Sequence, residues 1–175
     1  MASEQGLLMV YTGNGKGKTT AALGLALRAV GHGKKVLMVQ LMKGGDSYGE
    51  CAAARSLPDF EIVQKGLPSF VDRDDPGEED LRLAAEALAL ARQALTSPEY
   101  DMVILDELNV ALDFNLVSLD DILDLLAARR PDLDVVLTGR RAHPAIVKAA
   151  DMVSEVLEIK HHYQKGVDAR RGIEF

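Results

Sequence analysis

"YTGNGKGKTT", residues 11–20, places three glycines and two lysines within six positions and then two threonines. It follows an apolar run, "GLLMVY" at 6–11, and precedes a helical pattern, "AALGLALRAVGHG" at 21–33. Strand, glycine-rich loop and helix in that order form a phosphate-binding arrangement. Backbone N–H groups at a helix start point at the ligand, and the helix dipole favours negative charge there. Gly13, Gly15 and Gly17 allow the positive φ angles that turn successive N–H groups inward. Lys18 is placed to reach terminal phosphates, Lys16 adds a second charge, and the Thr19 hydroxyl suits Mg²⁺. The usual spacing, G-x-x-x-x-G-K-[ST], puts its first glycine five residues before Gly17. Here that residue is Thr12 and the glycine comes one later, so the loop is a variant with its first turn shifted.

Outward from the loop, apolar runs alternate with helical patterns. Strands are expected at Leu7–Tyr11, Val36–Met42, 60–64, Met102–Leu105, Asp134–Thr138 and Val153–Ile159. Helices are expected at Thr19–Val30, over a Leu/Ala stripe at 81–95 started by the acidic "DDPGEED" at 74–80, at Leu119–Ala128, and at 143–151. "KVLMVQLM" and "DMVILDE" lack polar alternation, as strands buried on both faces do. The expectation is an α/β fold of the P-loop NTPase type, with a mostly parallel central sheet of about six strands and helices on both faces. One nucleotide-binding domain over 1–175 is expected.

Composition bounds the function. The chain has 175 residues, 47% hydrophobic and 27% charged, with a net charge of −7. That acidity argues against binding nucleic acid through its phosphates. A lone cysteine, Cys51, excludes a disulfide framework and fits a reducing, cytoplasmic setting. No stretch approaches the ~20 apolar residues of a membrane span.

Two further motifs join the loop. "MVILDE" ends a buried strand in Asp106 and Glu107, at the strand end where open α/β sheets bind ligands. One of these carboxylates suits Mg²⁺, with Glu107 expected beside Thr19. "TGRRAHP" at 138–144 follows another inner strand and offers Arg140 to a phosphate. His161 and His162 are adjacent, which on a strand directs them to opposite faces and argues against a metal site. No side-chain nucleophile with a partnering base is readable. The residues alone point to a nucleoside triphosphate and Mg²⁺, and leave open which bond breaks.

Several stretches together resemble the P-loop type of ATP:corrinoid (cob(I)alamin) adenosyltransferases. These are "GNGKGKTTAALGLALRAVGHG" at 13–33, "VQLMKGGDSYGE" at 39–50, "VILDELNVAL" at 103–112, "VVLTGRRAHP" at 135–144, "ADMVSEV" at 150–156 and the tail "KHHYQKGVDARRGIEF". The resemblance implies that the Co(I) of a corrinoid attacks the 5′ carbon of ATP and that inorganic triphosphate leaves. It implies a role in adenosylcobalamin biosynthesis or salvage, and a nucleotide held with its terminal phosphate deep in the loop. It also implies Mg²⁺, a separate electron-donating reductase and a homodimer.

By position, the resemblance assigns Gly13, Asn14, Gly15, Lys16, Gly17, Lys18, Thr19, Thr20, Arg28 and Arg140 to ATP. It assigns Thr19 and Glu107 to the metal, and Lys18, Thr19 and Glu107 to catalysis. On the corrinoid side the chain departs from the family's Gly-Phe-Thr-Trp, carrying "KGLPSFVD" at 65–72 and no tryptophan. Leu67 and Phe70 are the stand-ins; Phe70 reads alternatively as a lid over helix 81–95. Two other readings stay open: a P-loop kinase or ATPase acting on the γ-phosphate, and a nucleotide- or corrinoid-binding module without turnover.

Overall fold

Successive apolar strands in this chain are separated by helices, so each returns to the sheet in the same direction. The computed structural model describes residues 5–45 and 48–175; Asp46 and Ser47 of the 39–50 stretch lie outside the described residues. Six strands form one sheet: β1 (Leu8–Thr12), β2 (Val36–Leu41), β3 (Phe60–Lys65), β4 (Met102–Asp106), β5 (Asp134–Thr138) and β6 (Met152–Glu155). Their order is β3-β2-β4-β5-β1-β6. Every pairing is parallel. The helices are α1 (Lys18–Val30), α2 (Gly49–Ala54), α3 (Glu78–Thr96), α4 (Leu108–Asp113), α5 (Leu119–Ala127) and α6 (Pro144–Ala149).

Alternation along the inner strands divides the core into two layers. Leu37, Val39 and Leu41 of β2 and Val103 and Leu105 of β4 meet Ala84, Ala87, Ala91 and Leu95 of α3 and Ile122 and Leu125 of α5. Val36 and Met38 of β2 and Met102 and Ile104 of β4 meet Ala22, Ala26 and Ala29 of α1. Alanines on the packing faces of α1 and α3 let both helices lie close to the sheet. Helix α3 starts where the acidic run predicts, with the Asp80 carboxylate accepting from Gly77 N at 3.2 Å. The Ser118 hydroxyl caps α5 by accepting from Asp121 N at 3.1 Å.

Most sequence-based elements differ from the structure only by a few residues at their ends, and the differences that bear on the site are these. The last strand ends at Glu155, not Ile159: Val156 still donates to Thr12 O at 2.8 Å, but its own carbonyl accepts from Gly15 N at 2.7 Å. The chain there leaves the sheet to lie against the glycine loop. Val36–Met42 shortens by one residue because Met42 takes a left-handed φ of 58°. The short helices α2 and α4 were not expected. No described helix is long and apolar enough to cross a membrane.

Candidate functional site

The glycine loop joins β1 to α1, and its backbone takes the shape its glycines permit. Gly13 has φ 94° and Gly17 φ 117°, values that favour glycine. A Cβ on Gly13 or Gly15 would also meet backbone atoms of Val156 or Leu157 at 2.5–2.8 Å, so the segment after β6 is seated against the loop. Asn14 through Thr20 line a cleft of about 960 Å³. Gly13 is buried beneath it. The Lys18 ammonium donates to Gly15 O at 2.7 Å. Burial, helped by Arg140, holds the Lys18 pKa below its ordinary value, against the pull of Glu107 and Asp106.

Asp106 is the polar centre of the site. It ends β4, is fully buried, and accepts from four side chains. Oδ1 takes Thr138 Oγ1 at 2.6 Å and Thr19 Oγ1 at 2.9 Å; Oδ2 takes Lys43 Nζ at 2.8 Å and Gln40 Nε2 at 3.3 Å. The partner of Thr19 is therefore Asp106 and not Glu107. Glu107 follows the strand in a left-handed conformation, φ 63°, which turns the chain into α4 and leaves its side chain on the cleft wall. Its backbone N–H donates to Thr138 Oγ1 at 2.9 Å. Burial and then the like charge of Asp106 push the Glu107 carboxyl above the usual range, while Lys43, Lys18 and Arg140 pull it back.

A hydroxyl and two carboxylates make a hard-oxygen donor set. It suits Mg²⁺, which takes one or two carboxylates and completes its shell with waters and phosphate oxygens. Thr19, Asp106 and Glu107 are the residues that would hold it. Among the described residues no cluster of three or more His, Cys, Asp or Glu forms a separate metal site.

Arg140, in the loop after β5, lines the same cleft. Arg28 does not reach it. It sits exposed in the last turn of α1, ten residues beyond Lys18 and so roughly 15 Å along the helix. Lys16 lines the cleft but is tied to the chain's end: Nζ donates to Ile173 O at 2.6 Å and lies 3.7 Å from Glu174 Oε1. Glu174 also meets His162 Nε2 at 3.5 Å. His161 and His162 stack, with ring centroids 4.5 Å apart, instead of facing opposite ways, because they open a 3-10 turn over His162–Lys165 and do not lie on a strand.

On the outer rim Phe70 is completely exposed and faces the cleft beside Val71. The reading of Phe70 as a lid over helix 81–95 is thereby overturned. Leu67 is half-buried and off the cleft wall. Asp113 at the end of α4 bridges Arg73 at 3.0 Å and Arg141 at 2.8 Å, tying the 66–77 loop to the loop after β5. Arg73 also lies 6.0 Å from the Phe114 ring.

Sequence reasoning missed Lys43, Gln40, Tyr48, Arg73 and Asp113 as parts of this site. A signal existed for two of them: Gln40 is a polar residue inside an apolar strand, and Lys43 follows that strand directly before two glycines. Cys51 belongs to the packing of α2, with Sγ 3.8 Å from Gln40 Oε1.

Comparison with known proteins gives a consistent result. The family model described as ATP:corrinoid adenosyltransferase BtuR/CobO/CobP matches residues 4–175. A corrinoid adenosyltransferase of Pseudomonas aeruginosa is 40% identical over 175 residues, covering 98% of this chain and 85% of its own. One of Escherichia coli K12 is 39% identical over 177 residues, with 98% and 87% covered. The corrinoid adenosyltransferase CobA of Salmonella typhimurium is 38% identical over 177 residues, with the same coverage.

Proposed function

The chain belongs to the ATP:corrinoid adenosyltransferase family, and we propose that its cleft transfers the 5′-deoxyadenosyl group of ATP to the Co(I) centre of a corrinoid. The observation that carries this reading at the site is the continuity of the cleft. One cavity runs from the Lys18 loop to the fully exposed Phe70. Its inner end is built for phosphates and its outer rim for an apolar ring system.

In the reaction the Co(I) substrate gives its electron pair to C5′. The Co–C bond forms, the C5′–O5′ bond breaks, the pair departs on triphosphate, and cobalt becomes formally Co(III). The protein needs no nucleophile of its own. Its tasks are to hold the carbon against the cobalt and to stabilise the leaving group. Terminal phosphate deep in the loop leaves C5′ toward the outer cleft, the side a bulky corrinoid can reach. Backbone N–H groups of Asn14–Thr20 cradle the phosphates, and Lys18 and Arg140 supply positive charge. Lys16 joins them if it exchanges Ile173 O for phosphate. Mg²⁺, when bound, neutralises further charge on the departing triphosphate. Thr19 and Asp106 orient each other at its place, with Glu107 alongside. Phe70 and Val71 offer apolar surface to the corrinoid's lower face, which disfavours a polar axial ligand and eases reduction to Co(I).

A separate reductase supplies that electron, and the enzyme works as a cytoplasmic homodimer. Anaerobic incubation with ATP, Mg²⁺ and chemically reduced cobalamin tests the proposal. The expected products are an adenosylated corrinoid, seen in the visible spectrum, and inorganic triphosphate. ADP instead would make the chain a kinase or ATPase, and binding with neither product would make it a carrier.

A further inference from the structure

Asp106 has no acceptor capacity to spare on the side that faces the cleft. Oδ2 is shared by Lys43 and Gln40, and Oδ1 by Thr19 and Thr138. A further partner for this carboxylate has to displace one of the four. Thr138 and Gln40 are fully buried in the sheet. Thr19 is anchored in the first turn of α1. Lys43 is different: it carries a charge, its long side chain lines the cleft, and its ammonium, while paired with Asp106, also lies 5.5 Å from the Tyr48 ring. Its backbone, by contrast, is fixed. A Cβ on Gly66 would lie 2.3 Å from Lys43 N, and one on Gly44 would lie 2.1 Å from Gly66 O, so the ends of β2 and β3 are locked together around it. A long, flexible side chain on a fixed base thus joins the carboxylate to the cleft that the phosphate loop lines.

We propose that Lys43 is an exchangeable lysine of the triphosphate site, neutralising Asp106 until a divalent cation takes over that carboxylate and then turning its ammonium to the phosphate chain. Lys43 in this role keeps a buried carboxylate from holding metal in the absence of nucleotide. It also adds a cation to the leaving group at the step where metal and nucleotide are both in place. The proposal rests on the reading of Thr19 and Asp106 as the Mg²⁺ side of the site.

The test is Mn²⁺ binding followed by EPR, without and with ATP, on the wild type, Lys43→Met, Lys43→Arg and Asp106→Asn. Removing a unit charge a few Å from a divalent ion is worth about tenfold in affinity even near the dielectric of water. Lys43→Met is therefore expected to bind Mn²⁺ alone about tenfold more tightly than wild type and ATP about tenfold more weakly. Lys43→Arg, which keeps the charge, is expected to hold Mn²⁺ alone as weakly as wild type. Should Lys43→Met not fold, lysine side-chain ¹⁵N NMR of the wild type serves, with the Lys43 signal assigned by Lys43→Arg. That signal is expected to shift on adding Mg²⁺ and ATP together. Unchanged nucleotide-free Mn²⁺ affinity in Lys43→Met, or an unmoved Lys43 signal, overturns the exchange. Asp106→Asn separates the two failures. If it weakens Mn²⁺ binding with ATP while Lys43→Met changes nothing, the Lys43 proposal alone falls. If it leaves Mn²⁺ binding with ATP untouched, the metal reading beneath falls and takes the exchange with it.

Discussion

Replacing Asp106 by alanine tests whether the four contacts around it hold the site together. The substitution leaves the Lys43 ammonium, only 15% exposed, without its carboxylate at 2.8 Å. It also removes the acceptor of the Thr19 and Thr138 hydroxyls and of the Gln40 amide. Stranding one partner of a buried ion pair costs about 3–5 kcal/mol. In a chain of this length each kcal/mol lowers Tm by roughly 2–4 °C, so the expected fall is on the order of 6–20 °C. Asparagine is gentler. Turned so that its carbonyl faces Lys43, it still accepts from the ammonium, and the loss is that of a charge-assisted bond, roughly 1–3 kcal/mol. The decisive comparison is Asp106→Ala with Lys43→Met, which leaves no stranded ammonium and should be more stable than Asp106→Ala alone. Urea and thermal unfolding followed by far-UV circular dichroism, without nucleotide or metal, give the free energies and the Tm values. A double variant as unstable as Asp106→Ala, or a loss below about 1 kcal/mol in Asp106→Ala, would refute the ion pair as the organising contact.

Lys18→Ala should weaken ATP binding by about 2–4 kcal/mol, because a charge contact to phosphate in a partly desolvated loop is lost; near-wild-type turnover at limiting ATP contradicts it. Phe70→Ala should leave stability within about 0.5 kcal/mol, since the ring is wholly exposed. It should slow adenosylation when the corrinoid is supplied as Co(II) with a weak reductant, and matter little when Co(I) is preformed. Equal losses under both regimes would remove Phe70 from the corrinoid side. Tyr100 is pushed up to about 12 by burial and by its bond to Glu61 Oε2 at 3.0 Å. The fold thus favours the neutral phenol, and its contribution is complete below pH 10 and lost as pH rises from 10 toward 12. Tyr100→Phe should abolish that alkaline fall, which unfolding midpoints across the window will show.

The parts of the fold legible in the sequence are those whose cause is local. The loop at 13–19 needs glycine where its backbone turns, and β2 and β4 must be apolar on both faces; each condition is written in consecutive residues. Helix α2 and helix α4 are six residues each. A helix that short is not stable by itself and forms only where tertiary packing holds it. In α4, Leu108 and Ala111 are anchored in the core and Glu107 sets the turn before them. The strand expected over Val153–Ile159 stops at Glu155 for a similar reason. Its residues are apolar enough to pair, but Val156 O is taken by Gly15 N, so the glycine loop competes for the backbone and bends it away. Arg28 shows the opposite case. It is near the loop in sequence and far from it in space, because α1 carries it away from the bound end, where a basic residue complements the helix C-terminus instead.

The site itself depends on strand order, which no single motif contains. In sequence the four contributors are separated: the loop after β1, Lys43 after β2, Asp106 at the end of β4, and Arg140 after β5. In the sheet those strands stand side by side as β2-β4-β5-β1. Parallel direction then brings all four carboxyl ends to one edge. Thr19 and Asp106 meet across 87 residues of chain, and Lys43 and Asp106 across 63. The motifs announce a phosphate site because each is written at the end of an apolar run. The exchange of partners around Asp106 is invisible until β4 is placed between β2 and β5. Only that position lets one carboxylate be reached at once from the helix of the glycine loop, from the strand-end lysine on one side and from Thr138 on the other.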